Sequence, residues 1–151
     1  MTDKQAEVIR DWATKNAQRE WLTGEGDKAG PLVASRKGGA NFIVVDDPQM
    51  PHIVKLAKEA DPDRPVVFRS HIQVRADLVD EQAESNTALV FKWLYGLVKE
   101  ADLFIAHPSK EFVPKMVRPE TVAYLPATTG KYFSRRSSPW RANADTSVRL
   151  A

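Results

Sequence analysis

The 151-residue chain contains no cysteine, so disulfides, thiolate catalysis and thiolate metal sites are excluded. Histidine is almost as scarce, with three in all and none at ligand spacing, which leaves no basis for a protein-held zinc site. No apolar run approaches the length of a membrane span, and the opening Met-Thr-Asp-Lys-Gln lacks the apolar core of a signal peptide. A cytoplasmic protein is therefore the default expectation. Neither a Gly-rich loop with Lys-Ser/Thr nor Gly-any-Gly-any-any-Gly follows an apolar run, which argues against a P-loop or a dinucleotide-binding turn. There is no Gly-any-Ser-any-Gly elbow to supply a hydrolase nucleophile. The net charge of +2 is too small to imply a polyanionic partner for the whole chain.

The composition, 42% hydrophobic and 28% charged, is that of a globular domain, and the length suits one domain rather than two. Four short apolar runs organise it, and each ends in polar residues. Phe42-Ile43-Val44-Val45 leads to Asp46-Asp47-Pro48-Gln49, and Val66-Val67-Phe68 leads to Arg69-Ser70-His71. Leu103-Phe104-Ile105-Ala106 leads to His107-Pro108-Ser109, and Val122-Ala123-Tyr124-Leu125 leads to Pro126-Ala127-Thr128-Thr129. Continuous apolar runs bounded by turn signals read as strands buried on both faces. With helices between the first three, they predict an α/β fold with a Rossmann-like parallel sheet and flanking helices. The four polar clusters then share the carboxyl edge, where ligands bind in open α/β sheets.

A first helix is expected from about Lys4 to Leu22, with Ile9, Trp12, Ala13, Asn16 and Ala17 on one stripe and Trp21 extending it. Gly24, Gly26, Gly30 and Pro31 end it, and Lys37-Gly38-Gly39 forms a loop into the first strand. A second helix follows Pro51, with Ile53, Leu56, Ala57 and Ala60 on its apolar face and His52 on an exposed one. Asp61-Pro62-Asp63 closes it as a turn on the wrong edge for a site. A third helix, about Ser85 to Ala101, carries Leu89, Val90, Trp93, Leu94, Leu97 and Val98 as a wide stripe, which reads as core packing. Pro108, Pro114 and Pro119 leave room for only a short helical turn near Ser109–Phe112. Residues 1–129 thus make the domain. Residues 130–151, with Lys131, Arg135, Arg136, Arg141 and Arg149 against Asp145 alone, read as a disordered basic tail. Such a tail could touch RNA or acidic lipid, but a solvated terminus is the simpler reading.

Two clusters carry the chemistry. Asp46 and Asp47 could accept hydrogen bonds from sugar hydroxyls or hold a divalent cation, while Asp47 before Pro48 could equally cap the next helix. Arg69 and His71 place a fixed cation beside an imidazole, a combination suited to phosphate or sugar, and the aspartates nearby favour that over a structural pair. His107 has no comparable support and reads as part of a turn before Pro108.

Several stretches, taken together, resemble a known family. The run from Gly38 to Pro51, including Asp46-Asp47-Pro48-Gln49-Met50-Pro51, is similar to the N-terminal domain of fungal trehalose phosphorylases and the related retaining trehalose synthases. So are Asp63 to Leu78, which contains Phe68-Arg69-Ser70-His71-Ile72-Gln73-Val74-Arg75, and Ala101 to Pro108. Phe112-Val113-Pro114-Lys115 and Val122 to Thr129 continue the likeness, which covers roughly residues 5–129 in order. The resemblance implies a GT-B glycosyltransferase, with two Rossmann-like domains facing across a cleft, the N-terminal one holding the acceptor sugar. Its members join or split the bond of trehalose, with glucose 1-phosphate and phosphate or with a nucleotide-glucose, retaining the anomeric configuration. No metal or other cofactor is implied. By position Asp46, Asp47 and Gln49 match acceptor-side contacts, Arg69 and His71 match groups near the reacting sugar and its phosphate, and Arg75, Thr128 and Thr129 are further substrate-binding candidates.

The sequence departs from the family after Thr129, where Gly130-Lys131-Tyr132-Phe133 begins an unrelated stretch. The glutamate pair of the donor-binding domain is missing. The expectation is a fragment that contributes the acceptor half-site, inactive alone because donor and acceptor are no longer held together. The resemblance implies further strands before the helix that contains Trp12 and Trp21, and a sheet without them would leave an open edge available for homodimerisation. The alternative is a non-catalytic α/β binding module that uses its basic tail on nucleic acid or membrane.

Overall fold

In a computed structural model of the chain, residues 2–23, 29–106 and 109–125 are described. His107, Thr128, Thr129 and the basic tail 130–151 lie outside them. The elements run α1 (Asp3–Ala17), β1 (Ile43–Asp46), α2 (Ile53–Ala60), β2 (Val66–Arg69), α3 (Ala76–Glu81), α4 (Asn86–Val98), β3 (Leu103–Ala106) and β4 (Val122–Tyr124). All four expected strands are present and form one parallel sheet in the order β1-β2-β3-β4. The fold is thus the α/β, Rossmann-like arrangement. No described helix is long and apolar enough to cross a membrane.

Register fixes which residues share a face. Ile43 pairs with Val66, Val45 with Phe68, Phe68 with Phe104, and Phe104 with Val122. Side chains alternate along each strand, so this row faces one side, where it joins Ile53, Val54 and Ala57 of α2 and Phe91 and Val98 of α4 in the core. The Phe68 and Phe104 rings are 5.3 Å apart and inclined at 48°, within the preferred range for aromatic pairs. The opposite row is less covered. Only β2 is buried on both faces; in β1 Val44 is 52% exposed, as is Phe42 just before the strand. The continuous apolar run at 42–45 therefore does not mean burial on both sides, because β1 is an edge strand with one open face.

Thr2 starts α1 through a capping box, its Oγ1 accepting from the Gln5 N–H while the Gln5 side chain accepts from the Thr2 N–H. The helix continues to Leu22 as a π-helical turn, so the predicted extent holds. Its stripe is buried only at Ala13 and Ala17; Trp12 is 60% exposed and Ile9 is also exposed. His52, expected on an exposed face, is buried, with its Nε2 bonded at 3.1 Å to the Arg10 carbonyl. That bond ties α1 to the start of α2. The short helix α3, not anticipated from the sequence, buries Ala76 and Val79. In α4 the Ser85 hydroxyl caps the Ala88 N–H, but the buried residues are Ala88, Phe91 and Val98, and Leu89 and Val90 face solvent. The chain from β3 to β4 contains two short 3-10 turns, Lys110–Phe112 and Pro119–Thr121, the first where a turn was expected.

One buried cation organises the loop before β1. Arg64 is 2% exposed. Its Nη1 donates to the carbonyls of Pro31, Val33 and Ala40, and its Nη2 to those of Leu32 and Ala57. The guanidinium fork thus joins the loop to the last turn of α2. Burial pulls its pKa down and Asp61 opposes that shift. Asp61 in turn accepts from the Ser35 N–H and hydroxyl at 2.9 and 2.6 Å, so the Asp61-Pro62-Asp63 segment is the expected turn, anchored from outside. Gly39 packs so closely on this loop that an added Cβ would lie 1.7 Å from the Val33 oxygen. At the amino edge of the sheet, Asp102 accepts from the Val66 N–H at 2.7 Å and pairs with Lys58 at 2.8 Å.

Candidate functional site

Parallel pairing brings the ends of β1 and β2 to one level, since Asp46 and Arg69 are register partners and both are the last residues of their strands. Their side chains project from the same row. Arg69 Nη1 lies 3.3 Å from both carboxylate oxygens of Asp46.

Asp47 leaves the strand with φ 62°, the only non-glycine residue in the left-handed region among those described. Aspartate tolerates that conformation better than most residues, and here the turn aims its carboxylate across at β2. The Asp47 N–H donates to the Arg69 carbonyl at 2.8 Å, and its Oδ1 accepts from the His71 N–H at 2.8 Å. Its Oδ2 is 3.4 Å from His71 Nδ1. The other ring nitrogen, Nε2, contacts Arg69 Nη1 and lies 3.3 Å from Asp46 Oδ1. Ser70, buried between them, donates its N–H to the Ile105 carbonyl at 2.8 Å and holds the β2 end against β3.

The two readings of Asp47 are thereby separated. The N-terminus of α2 is at His52 and has no side-chain cap, so Asp47 does not cap it; its carboxylate is used on His71. Asp46, Asp47 and His71 each offer a ligand atom within 4.8 Å of the others, a spacing that could hold a metal ion. An ion entering there would have to displace the Arg69 guanidinium, which already lies against both Asp46 oxygens. With a neutral imidazole the quartet carries two carboxylates against one guanidinium, so one negative charge remains for a ligand to meet. The side chains are 48% (Asp46), 33% (Arg69) and 39% (His71) exposed, open to a solute, while Asp47 at 20% is the most enclosed.

Of the remaining candidates, Gln49 is exposed in the turn after Asp47 and lines a pocket with Asp46, Trp21, Val44 and Met50. Arg75 is outside the network and makes a two-pronged pair with Asp77, at 2.8 and 2.5 Å, which raises its own pKa and lowers that of Asp77. A feature missed from the sequence adjoins the network: a cavity of about 480 Å³ lined largely by apolar groups, including Pro48, Ile72, Val90, Trp93 and Leu94, with Arg75 at its border. Its lining residues Pro48 and Ile72 follow Asp47 and His71 in the chain, although no residue of the network itself lines it. The α4 stripe gave Trp93 to the core; its half-buried ring instead forms part of this wall.

The sequence family described as trehalose synthase, N-terminal domain, matches residues 1–114, about three quarters of the chain. The chain belongs to this trehalose synthase family. Its relatives include trehalose phosphorylases from Pleurotus pulmonarius and Pleurotus sajor-caju, each 42% identical over 129 residues, and from Grifola frondosa, 40% identical over 129 residues. Those alignments cover 85% of this chain but 16% of each relative, so this trehalose synthase family domain spans about a sixth of their length. The family match includes Asp46, Asp47, Gln49, Arg69, His71 and Arg75, whereas Thr128 and Thr129 lie beyond it.

Proposed function

We propose that the Asp46–Arg69–His71–Asp47 network is this chain's half of a sugar and phosphate site in a retaining glycosyltransferase of GT-B architecture acting in trehalose metabolism. The reaction is trehalose and phosphate to and from glucose 1-phosphate and glucose, or transfer from a nucleotide-glucose to glucose. In phosphorolysis a phosphate oxygen forms the new bond to the anomeric carbon, the bond to the second glucose breaks, and that glucose leaves with the proton phosphate gives up. The observation that carries the reading is the convergence of a guanidinium, two carboxylates and an imidazole at the carboxyl edge of β1 and β2.

Arg69 is the group for the phosphate. Its contacts to Asp46 are long at 3.3 Å, so a phosphate can compete for the guanidinium, with further cations on the donor side offsetting the repulsion from Asp46 and Asp47. A fixed cation at the leaving phosphate stabilises charge as it develops. Asp46 and Gln49 accept hydroxyls of the acceptor glucose, and the apolar wall beside Trp93 suits the non-polar face of a pyranose ring. Donor-side groups come from sequence corresponding to the rest of the relatives' length. Turnover requires those groups to be held beside the acceptor, because proximity supplies much of such catalysis.

Amide NMR spectra recorded with millimolar glucose, trehalose, inorganic phosphate or glucose 1-phosphate test this reading. The expected result is shifts centred on residues 46–49 and 69–73, with Arg69→Ala abolishing the response to the phosphates and sparing that to glucose. Shifts confined to other regions, or none for any of the four solutes, overturn it.

A further inference from the structure

We infer that Asp47 is a positioning residue that holds His71 as the Nδ1–H tautomer, so that Nε2 offers a lone pair to the mouth of the site. An ionised carboxylate only accepts hydrogen bonds, and a guanidinium only donates them. Asp47 Oδ2 faces Nδ1 at 3.4 Å, so the proton belongs on Nδ1. Arg69 Nη1 faces Nε2, so the lone pair belongs there. Two contacts on opposite sides of the ring favour the same tautomer. Asp46 Oδ1 also lies 3.3 Å from Nε2 and by itself would favour a proton there; Arg69 Nη1, in contact with both Nε2 and Asp46, opposes it.

Asp47 is held rigidly enough to impose this choice. Its N–H is fixed to the Arg69 carbonyl, its left-handed backbone turns the side chain toward β2, and its Oδ1 fixes the His71 main chain at 2.8 Å. One carboxylate therefore sets both the position of His71 and the orientation of its ring. Histidines in solution prefer the opposite tautomer, Nε2–H, so the arrangement reverses the default. The tautomer stands on geometry alone; its use rests on the sugar and phosphate reading above. When a phosphate draws Arg69 away, Nε2 is left as an acceptor for a sugar hydroxyl. His71 then recognises the sugar and Arg69 the phosphate, and the imidazole does not donate to the anion.

Long-range proton–nitrogen NMR of the imidazole rings, at mildly alkaline pH, reads the tautomer directly. With three histidines in the chain, the His71 signals are identified by their loss in His71→Gln. The expected spectrum has a protonated Nδ1 and an unprotonated Nε2. Asp47→Asn presents an amide N–H to Nδ1 and should raise the Nε2–H share against the Arg69 contact that still favours a lone pair there, whereas Asp46→Asn should leave the tautomer as it is. Asp47→Gly, which accepts the left-handed backbone without strain, serves if the asparagine variant folds poorly, with the same expected shift toward Nε2–H. An Nε2–H majority in the unaltered chain, or no change on altering Asp47, overturns the inference; a role for Asp47 confined to the His71 main chain would give that second result. Glucose titration separates this from the functional reading. His71→Gln, whose carbonyl can stand where Nε2 does, should keep glucose shifts that His71→Ala loses. A confirmed tautomer with no glucose response in any variant would remove the sugar site and leave the positioning role of Asp47 intact.

Discussion

Single residues here bear unusually large structural duties, and Arg64 bears the largest. Its five donations to main-chain carbonyls hold the loop from Pro31 to Ala40 against α2; the Pro31 and Ala57 carbonyls also accept from the Ala40 and Asp61 N–H groups, but those of Leu32, Val33 and Ala40 depend on the guanidinium. Arg64→Ala should cost roughly 3–5 kcal/mol, the range found when buried polar partners are left unmatched. Arg64→Lys should recover less than half of this, because an ammonium cannot reproduce the fork. Urea unfolding followed by far-UV circular dichroism measures both, and a loss below about 1 kcal/mol for Arg64→Ala would refute the account. Gly39 gives a second case in the same loop. A methyl group there meets the Val33 backbone at 1.7 Å, so Gly39→Ala must displace the loop and should lower the unfolding midpoint well beyond the few tenths of a kcal/mol typical of loop positions. Neither role was visible in the sequence. An arginine beside Asp-Pro-Asp carries no signal that it is buried, since its partners are carbonyls of residues far away in the chain and carbonyls belong to every residue type. The polar ends of β1 and β2 were legible for the opposite reason: their identity lies in side chains, and register alone brings Asp46 to Arg69. What the sequence left open was which ring nitrogen of His71 meets which aspartate.

Elements were legible in proportion to how strongly pattern determines them. Each strand lies within a few positions of its apolar run, because four consecutive apolar residues bounded by turn signals admit few alternatives in a chain this short. The faces were harder. In α4 apolar residues lie nearly all round the helix, so periodicity offers several stripes; the structure buries Ala88, Phe91 and Val98, and Phe91 was absent from the predicted stripe. Packing of Phe91 against the core, together with its stacking on Tyr95 at 6.2 Å, selects that face. Phe91→Ala should therefore cost about 3–5 kcal/mol, and Leu89→Ala, at a position 39% exposed, less than about 1 kcal/mol. Thermal or urea unfolding of the two variants distinguishes the faces, and equal losses would place the buried stripe where the sequence suggested. In α1 the same argument runs in reverse. Ile9 and Trp12 keep helical spacing with Ala13 and Ala17, yet the helix meets the body of the domain through its small residues and leaves the large ones outside.

For the whole molecule, the displaced equilibria of His52, Asp61 and Asp102 point to loss of stability in acid. Burial, aided by Arg10, lowers the pKa of His52 from its ordinary value of 6.5. For Asp102 burial alone would raise the value, but the Lys58 ammonium and the Val66 N–H outweigh it and bring the pKa below 3.8. The Ser35 hydroxyl and N–H do the same for Asp61. In each case the unfolded chain takes up the proton before the folded one, so folding is favoured above the unfolded value and the advantage declines as pH falls toward the folded one. Two stages follow. Stability should begin to fall near pH 6.5, as unfolded His52 protonates, and fall again below 3.8 as the two carboxylates protonate in the unfolded chain. Urea midpoints measured across this range should show both declines. The His52→Gln variant isolates the first: it should be less stable at neutral pH, since Gln must replace the bond to the Arg10 carbonyl, yet lose less on acidification. If the variant and the unaltered chain lose equal stability between neutrality and pH 5, His52 is not what couples α1 to α2 in a proton-dependent way, and the acid response belongs to other groups.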